Sequence, residues 1–410
     1  MDKQIQDSQE QAYNRNPKDN NRTETTKEFA AEDQTINGSG LPPEEQPESA
    51  GENNGKRHRW MKNVPLLIVE ICVLVIAIGI LYVVVTTTDE VERKDIDEEQ
   101  IIINEEVKET HQEEKKHQAV AKGYRNIALF GVDARDGELG RGTRSDSIII
   151  ASINQDTQEI KLVSVFRDTY LNLSNDSYNK CNTAYAQGGP EQAISMLNMN
   201  LDLDITDYVT VGFGGLIDSV DALGGIEMEV TDAEISHLNN YQLTMSEELG
   251  VDYIPVKKSG KQLLNGMQAT AYCRIRYTKG DDFRRAERQR DVLTAMMEKA
   301  KTASVSSLNQ MVTAILPEVE TSLGVNEIIN VLGSVAGYNI VASDGFPFAD
   351  GRTGANVGSK GSCVIPDDLE ENVIKLHELL YPETAYKPSR QVSSISDEID
   401  ALTAEYRQQQ

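Results

Sequence analysis

Cysteine and histidine are scarce in this chain: its 410 residues hold 4 and 5 of them. Cys72 falls in a long apolar run, and Cys181, Cys273 and Cys363 show no CxxC spacing. At most one disulfide plus a free thiol can form, and no disulfide framework or thiolate zinc site is written here. His58, His111, His117, His237 and His377 are scattered, which speaks against a histidine-based triad or metal cluster. No internal repeat, zipper or basic nucleic-acid stripe is present. Bases are the minority charge, 40 against 66 acids, for a net charge of -26. Met1 to Gly55 and Asp89 to Gln118 each carry about seven net negative charges, together about half of the excess. The remainder is much less acidic, so overall charge does not argue against an anionic ligand.

Long apolar runs are equally rare, and the one present organises the chain. Val64 to Val85 (VPLLIVEICVLVIAIGILYVVV) is long enough to cross a bilayer, with Glu70 its only acid. Lys56, Arg57, Arg59 and Lys62 lie on its amino-terminal side with Trp60 as an interfacial anchor, whereas Asp89, Glu90 and Glu92 follow. That bias predicts a cytoplasmic amino terminus and an extracellular bulk. The run lies far from the start and no small-residue cleavage site follows it, so a cleaved signal peptide is not expected. The expected organisation is a disordered cytoplasmic tail over 1-59, a membrane helix over 60-88 and an acidic stalk over 89-122. A folded domain over 123-385 and a polar tail over 386-410 follow.

Within the folded part, apolar strands are expected at Asn126 to Val132, Ser147 to Ile153, Glu159 to Phe166 and Ile226 to Val230. Helices are expected at Asn182 to Gln187, Pro190 to Leu203, Gly215 to Leu223, Leu264 to Thr270, Val305 to Leu316, Asn326 to Val335 and Leu369 to Leu380. This is the pattern of a mixed α/β domain.

Six arginines fall between Arg274 and Arg290, with Lys279 the only lysine among them. Guanidinium forks suit bidentate contact with phosphate or carboxylate oxygens. Ala271 to Tyr277 alternates as a strand would, placing Arg274 and Arg276 on one face. Phe283 to Ala300 reads as a helix with Arg285, Arg288 and Gln289 along one border of its apolar stripe. These five residues are expected to converge, with Arg284 and Arg290 peripheral. The bland alternative is a solvent-facing helix with ion pairs to Glu287 and Asp291.

Asp133 closes one expected strand and Asp146 opens the next, so antiparallel pairing would bring both carboxylates to one sheet edge. Such a pair beside a phosphate site commonly holds Mg²⁺ or Mn²⁺. Equally, Asp133 can be a turn former and Asp146 a partner of Arg144 or Arg167. Arg167-Asp168, at the end of the third strand, adds a guanidinium to that edge or forms a surface ion pair.

The ordered set Asn126-Ile-Ala-Leu-Phe-Gly-Val-Asp133, Arg144-Ser-Asp-Ser147, Ser164-Val-Phe-Arg-Asp-Thr169 and Lys180-Cys-Asn-Thr-Ala-Tyr-Ala-Gln-Gly-Gly189 resembles the LytR-CpsA-Psr family of cell-wall glycopolymer ligases. Leu223-Gly-Gly-Ile226, Leu264-Asn-Gly266, Arg274-Ile-Arg276 and Asp282-Phe-Arg-Arg-Ala-Glu-Arg-Gln289 extend the resemblance, which covers roughly Arg125 to Ala300 and the membrane anchor. It implies a single-pass membrane anchor followed by an extracellular, mixed-sheet α/β/α catalytic domain of Gram-positive cells. The implied activity moves an anionic glycopolymer, such as teichoic acid or capsule, from a polyprenyl-pyrophosphate carrier to a peptidoglycan hydroxyl through a phosphodiester. By motif, Asp133 and Asp146 would coordinate Mg²⁺ and, with Arg167, form the catalytic set. Arg144, Arg167, Arg274, Arg276, Arg285, Arg288 and Gln289 would bind the pyrophosphate, and an apolar cavity in the sheet would hold the prenyl tail. Polyprenyl-pyrophosphate hydrolysis, or non-catalytic carrier binding by a regulatory or scaffolding module, would use the same residues. Two departures stand out: Phe166 replaces a usual proline, and Cys181 and Cys273 replace aliphatic residues, where a small buried thiol is the simpler reading.

Overall fold

The structure is a computed structural model and describes residues 100–108, 123–132, 139–250, 252–276 and 281–407. The expected cytoplasmic tail, the membrane helix, most of the stalk and Asp133 lie outside the described residues. Among the described residues no helix is long and apolar enough to cross a membrane.

Three strands open the domain: β1 (Tyr124–Val132), β2 (Ser145–Asn154) and β3 (Glu159–Val165). They form an antiparallel meander. The β2–β3 turn is fixed by Asn154, whose side-chain oxygen accepts from the backbone N–H of Asp156 and Thr157, both at 3.0 Å. A small hairpin, β4 (Tyr170–Asn172) and β5 (Tyr178–Lys180), leads into α1 (Asn182–Leu201). The two helices expected there are one element kinked at Gly189, whose φ of 73° no helix interior holds. Then follow β6 (Asp207–Val211), α2 (Phe213–Ala222), β7 (Ile226–Val230), α3 (Asp232–Leu249), β8 (Gly260–Leu264) and α4 (Gly266–Arg274). Next come α5 (Asp281–Lys301), α6 (Val305–Ile315), β9 (Val319–Thr321), α7 (Val325–Gly333) and β10 (Asn339–Phe346). A second hairpin, β11 (Arg352–Asn356) and β12 (Ser362–Pro366), and helices α8 (Leu369–Leu380) and α9 (Arg390–Arg407) complete the chain.

The central sheet runs β10-β3-β2-β1-β6-β9, with β10 and β6 parallel to their inner neighbours and the other pairs antiparallel. Alternation along its strands feeds two cores. Ala128, Phe130, Val132, Ile148, Ile150, Val163 and Val165 pack with α1, α8 and α9, while Ile149, Ala151, Ile160 and Leu162 meet Leu293 and Met297 of α5. Burial on both faces explains the unbroken apolar run of β2. A third core joins the β7–β8 hairpin to α3, α4 and α5.

Three expectations are corrected. Ala271 to Arg274 is helical: Asn265 and Gln268 form a capping box that starts α4, and the helix continues through Arg274 before Ile275 turns extended. Residues 267 to 273 are all buried, so no helical periodicity was left to oppose the short alternation. The stretch after Tyr386 is no loose tail, because Val392, Ile395 and Ile399 of α9 belong to the main core. Part of the stalk is docked as well: Ile101 is buried in that core, and Asn104 is buried against Asp202 and Met199.

Candidate active site

The carboxyl end of β3 and the amino end of β2 meet at one edge of the sheet, since Ile149 pairs with Ser164. Asp146 sits there, one residue inside β2. The Phe166–Thr169 turn beside it is fixed by its own backbone: Thr169 N–H donates to Phe166 O at 2.8 Å, Asn182 N–H to Arg167 O at 3.1 Å and Val364 N–H to Asp168 O at 2.9 Å. Phe166 opens this turn and is held in it. Its ring fills the space beside Gly345 of β10, where any Cβ would collide with it, and meets Phe283 edge-on at 4.7 Å.

Three guanidiniums converge on Asp146. Arg167 Nη1 reaches Oδ1 at 2.8 Å, while Arg285 Nη2 and Arg276 Nη2 reach Oδ2 at 3.0 and 3.4 Å. Asp282 lies across the same arginines at 3.5 to 4.0 Å. Two carboxylates against three guanidiniums leave one net positive charge, before Lys180 and Asp168 pair at 2.9 Å alongside. Burial works to raise the Asp146 pKa, but the fields of Arg285, Arg167 and Arg276 outweigh it and hold the carboxyl below its ordinary range. Burial lowers the pKa of Arg285, and the neighbouring Arg276 and Arg167 push the same way against the pull of Asp146. Arg285 is buried, and its Nε, like that of Arg167, has no hydrogen-bond partner. The Arg285 Nε, buried without an acceptor, and the Arg167 Nε, which has only the Asp168 carboxylate at 3.4 Å as an ion-pair partner, lie in a cluster of positive excess that suits an oxyanion.

Asp146, Arg167, Asp168, Asp282 and Arg285 line a cleft of about 250 Å³ with Ser147, Ser164, Gln289, the apolar Ile148, Val165, Phe166, Phe283 and Ala286 and, from the carboxyl-terminal hairpin, Gly354, Ser362, Cys363 and Val364. Among the described residues no histidine lines it. Burial raises the pKa of Cys363, which keeps it a thiol, and the buried Cys181 and Cys273 are unpaired thiols raised by the same cause, Cys273 to about 12.

Arg167, Arg276, Arg285 and Gln289 are therefore gathered with Asp146, and three other arginines go elsewhere. Arg288 turns the opposite way, 1% exposed, to Glu234 at 2.8 Å and Ile275 O at 3.1 Å. Arg274 lies over Phe213 and Tyr241, at 4.7 and 5.5 Å from their ring centroids, because helical α4 does not put it on the face of Arg276. Arg144 stays exposed on the loop before β2. Arg284 pairs with Glu287 and Asp291 at 2.8 and 3.5 Å, at the periphery as expected. Arg290 is not on the surface: it is buried, bonding Ser164 at 2.6 Å and Ser343 at 2.7 Å. Asp282 was missed as a member of the cluster, although its position three residues before Arg285 on a helix start is the signal that places it there.

The described part of the expected metal site has suitable chemistry. Asp146 is held ionised, three guanidiniums use three of a carboxylate's roughly four acceptor positions, and Asp282 Oδ1 is buried without a hydrogen-bond partner. Such oxygens fit a hard cation that keeps several waters. Among the described residues no group of three or more His, Cys, Asp or Glu surrounds one metal position.

A family model described as the LytR_cpsA_psr family matches residues 92–350. Two relatives carry the name polyisoprenyl-teichoic acid–peptidoglycan teichoic acid transferase TagU. The Enterococcus faecalis protein is 34% identical over 207 residues, 50% of this chain and 63% of that protein. The Oceanobacillus iheyensis protein is 32% identical over 238 residues, 56% of this chain and 67% of that protein. Among solved structures, Bacillus subtilis TagV superposes with a TM-score of 0.50 at 26% identity, covering 66% of this chain and 100% of that one.

Proposed function

The chain belongs to the LytR-CpsA-Psr family, and on that premise we propose that it transfers an anionic glycopolymer from a polyprenyl-pyrophosphate carrier to a peptidoglycan hydroxyl, on the outer side of a membrane it crosses once. The observation that carries this reading is the cluster of Arg167, Arg276 and Arg285 around one ionised aspartate, with the buried Arg285 Nε lacking an acceptor. The relatives named as teichoic acid transferases support the choice of polymer and acceptor.

Phosphoryl transfer needs positioning and neutralisation of charge more than covalent work. In the proposed reaction an acceptor hydroxyl oxygen bonds to the glycopolymer-proximal phosphorus while the bond from that phosphorus to the bridging oxygen breaks. Polyprenyl phosphate leaves, carrying the electron pair of that bond. Arg167, Arg276 and Arg285 orient the pyrophosphate and stabilise the charge that gathers on the leaving oxygen, and Gln289 adds a neutral polar contact. Asp146 holds the three guanidiniums in register. The hydroxyl proton passes to a carboxylate of the site or to the departing phosphate. The buried thiols, and a cleft lining that holds no histidine among the described residues, favour direct displacement over a covalent enzyme intermediate. Asp146 with Asp133 would hold Mg²⁺, which supplies charge neutralisation on the phosphate oxygens when bound.

The test incubates the full chain in detergent with a polyprenyl-pyrophosphate oligosaccharide, peptidoglycan oligomers and Mg²⁺, and reads products by mass spectrometry. Joined product with polyprenyl phosphate release, lost on chelation, is expected. Polyprenyl phosphate without joined product would instead mark a hydrolase, and tight carrier binding with no turnover a binding module.

A further inference from the structure

The family match ends at residue 350, and the β11–β12 hairpin starts just after it, at Arg352. Yet Gly354, Ser362, Cys363 and Val364 of that hairpin share the cleft with Asp146, Arg167, Asp282 and Arg285. The hairpin is held there at two points. Val364 N–H donates to Asp168 O at 2.9 Å, next to Arg167. The Arg352 guanidinium lies 3.7 Å from the ring centroid of Phe283 and 4.8 Å from that of Phe166, beside the elements that carry Arg285 and Arg167.

The register separates its two faces. Gly354 pairs with Val364, Ala355 with Cys363 and Asn356 with Ser362. Ala355 and Cys363 belong to the main core, so Gly354, Asn356, Ser362 and Val364 share the opposite face. On that face Gly354, Asn356 and Ser362 are exposed and Val364 is half-buried. A glycine inside a strand often marks the close approach of a ligand. A Cβ at Gly354 would meet nothing within 4 Å, and the position has no positive φ, so neither packing nor backbone conformation requires glycine there.

We infer that the β11–β12 hairpin is the sugar-side wall of the cleft, and that Gly354 determines how bulky a group can lie next to the bound pyrophosphate. This rests on the carrier reading above. The exposed residues of this face, Gly354, Asn356 and Ser362, are neutral and small or polar, which suits sugar hydroxyls, and the half-buried Val364 beside them adds an apolar contact for a sugar ring. A phosphate would need a basic wall, and the arginines on the other side already meet that need. At about 250 Å³ the cleft is below the roughly 300–1,000 Å³ usual for ligand sites. The first sugar therefore lies at its rim, along this face.

The test measures binding of two probes to the full chain in detergent: bare polyprenyl pyrophosphate, and polyprenyl pyrophosphate bearing one hexose. In Gly354→Leu the new side chain enters the open space before the wall. Affinity for the bare probe is expected to stay within about twofold, while the hexose-bearing probe weakens about tenfold or more. Ser362→Leu, on the same face, is expected to discriminate in the same direction. Equal weakening of both probes would make the hairpin a support only and overturn the inference, as would no weakening of either. Failure of the unaltered chain to bind the bare probe would instead strike the carrier reading itself.

Discussion

Arg285 and Arg284 are sequence neighbours with opposite surroundings, and they separate binding from surface charge. Arg285 is buried on Asp146, whereas Arg284 is half-exposed and pairs with Glu287 and Asp291. Removing one preorganised donor from a phosphoryl site typically costs about 10²–10³ in turnover. Arg285→Ala should lose that much in the joined-product assay, and Arg284→Ala should stay within a few-fold; equal losses would contradict the geometry. Arg288 and Arg290 test stability instead. Arg288→Ala would take from the buried Glu234 its close guanidinium and leave only the Thr231 donors and Arg284 at 4.0 Å, at a cost of up to about 3–5 kcal/mol. Arg290→Ala would strand the buried Ser164 hydroxyl, at about 1–3 kcal/mol, whereas the exposed Ser343 hydroxyl can turn to water. Urea unfolding reads both, and a midpoint unchanged in either variant would count against its burial. Sequence spacing sorted these residues only where the helix stripe was decisive. It put Arg285 and Gln289 on the correct border of α5, but i and i+3 share a face, so nothing local told that Arg288 would turn to a glutamate 54 residues earlier.

At the scale of elements, the site depends on how strand ends meet. The meander brings Asp146 of β2 beside the turn after β3, and the apolar runs of these strands made that pairing legible in advance. The position of α4 was not legible, because its capping box competes with an alternating stretch that carries no exposed face. The ion pairs across these ends also set a pH response. Asp146 is depressed in the folded state, so its contribution to stability is fully present above the unfolded carboxyl pKa of about 3.9 and is lost as pH falls through the lower folded value. Thermal midpoints should show no loss from this group between pH 5 and 8 and a decline below about pH 4. Asp146→Asn should flatten the decline, and an unaltered acid limb in that variant would remove Asp146 as its source. Helix α9 adds a second expectation. Its polar composition hid a stripe of Val392, Ile395 and Ile399, buried against the main core. Ile395→Ala should cost about 2–5 kcal/mol, whereas a cost near zero in urea titration would return α9 to a loose tail.

For the molecule as a whole, the two ends of the described chain are tied at one point. Asp202 follows α1 in a left-handed conformation with φ of 51°, and it puts a carboxylate at a helix carboxyl terminus, where the dipole disfavours it. Donors from both ends offset this. Ser389 gives its N–H and Oγ–H, each at 2.7 Å, Tyr386 its hydroxyl at 2.6 Å, and Asn104 its side-chain amide. Glu106 adds a hydrogen-bonded pair with Arg390, which lowers the Glu106 pKa. The segment over 100–108 thus belongs to the folded body, although acidic composition made it read as stalk. Only Ile101-Ile102-Ile103 interrupts that composition, and Ile101 is 3% exposed. Burying one isoleucine is worth about 1.5–3 kcal/mol, and leaving Asp202 short of a donor costs about 1–3 kcal/mol. A chain shortened to begin at Glu109 should therefore melt several degrees below one beginning at Asp89, since about 1 kcal/mol shifts Tm by roughly 2–4 °C in a domain of about 150–250 residues. Ile101→Ala and Asn104→Ala in the longer chain should each reproduce part of the shift. Because neither residue touches the arginine cleft, binding of a soluble pyrophosphate probe per folded molecule should stay the same. Identical melting of the two chains would mean that the segment only rests on the surface, and a loss of probe binding would mean that the tie reaches the site.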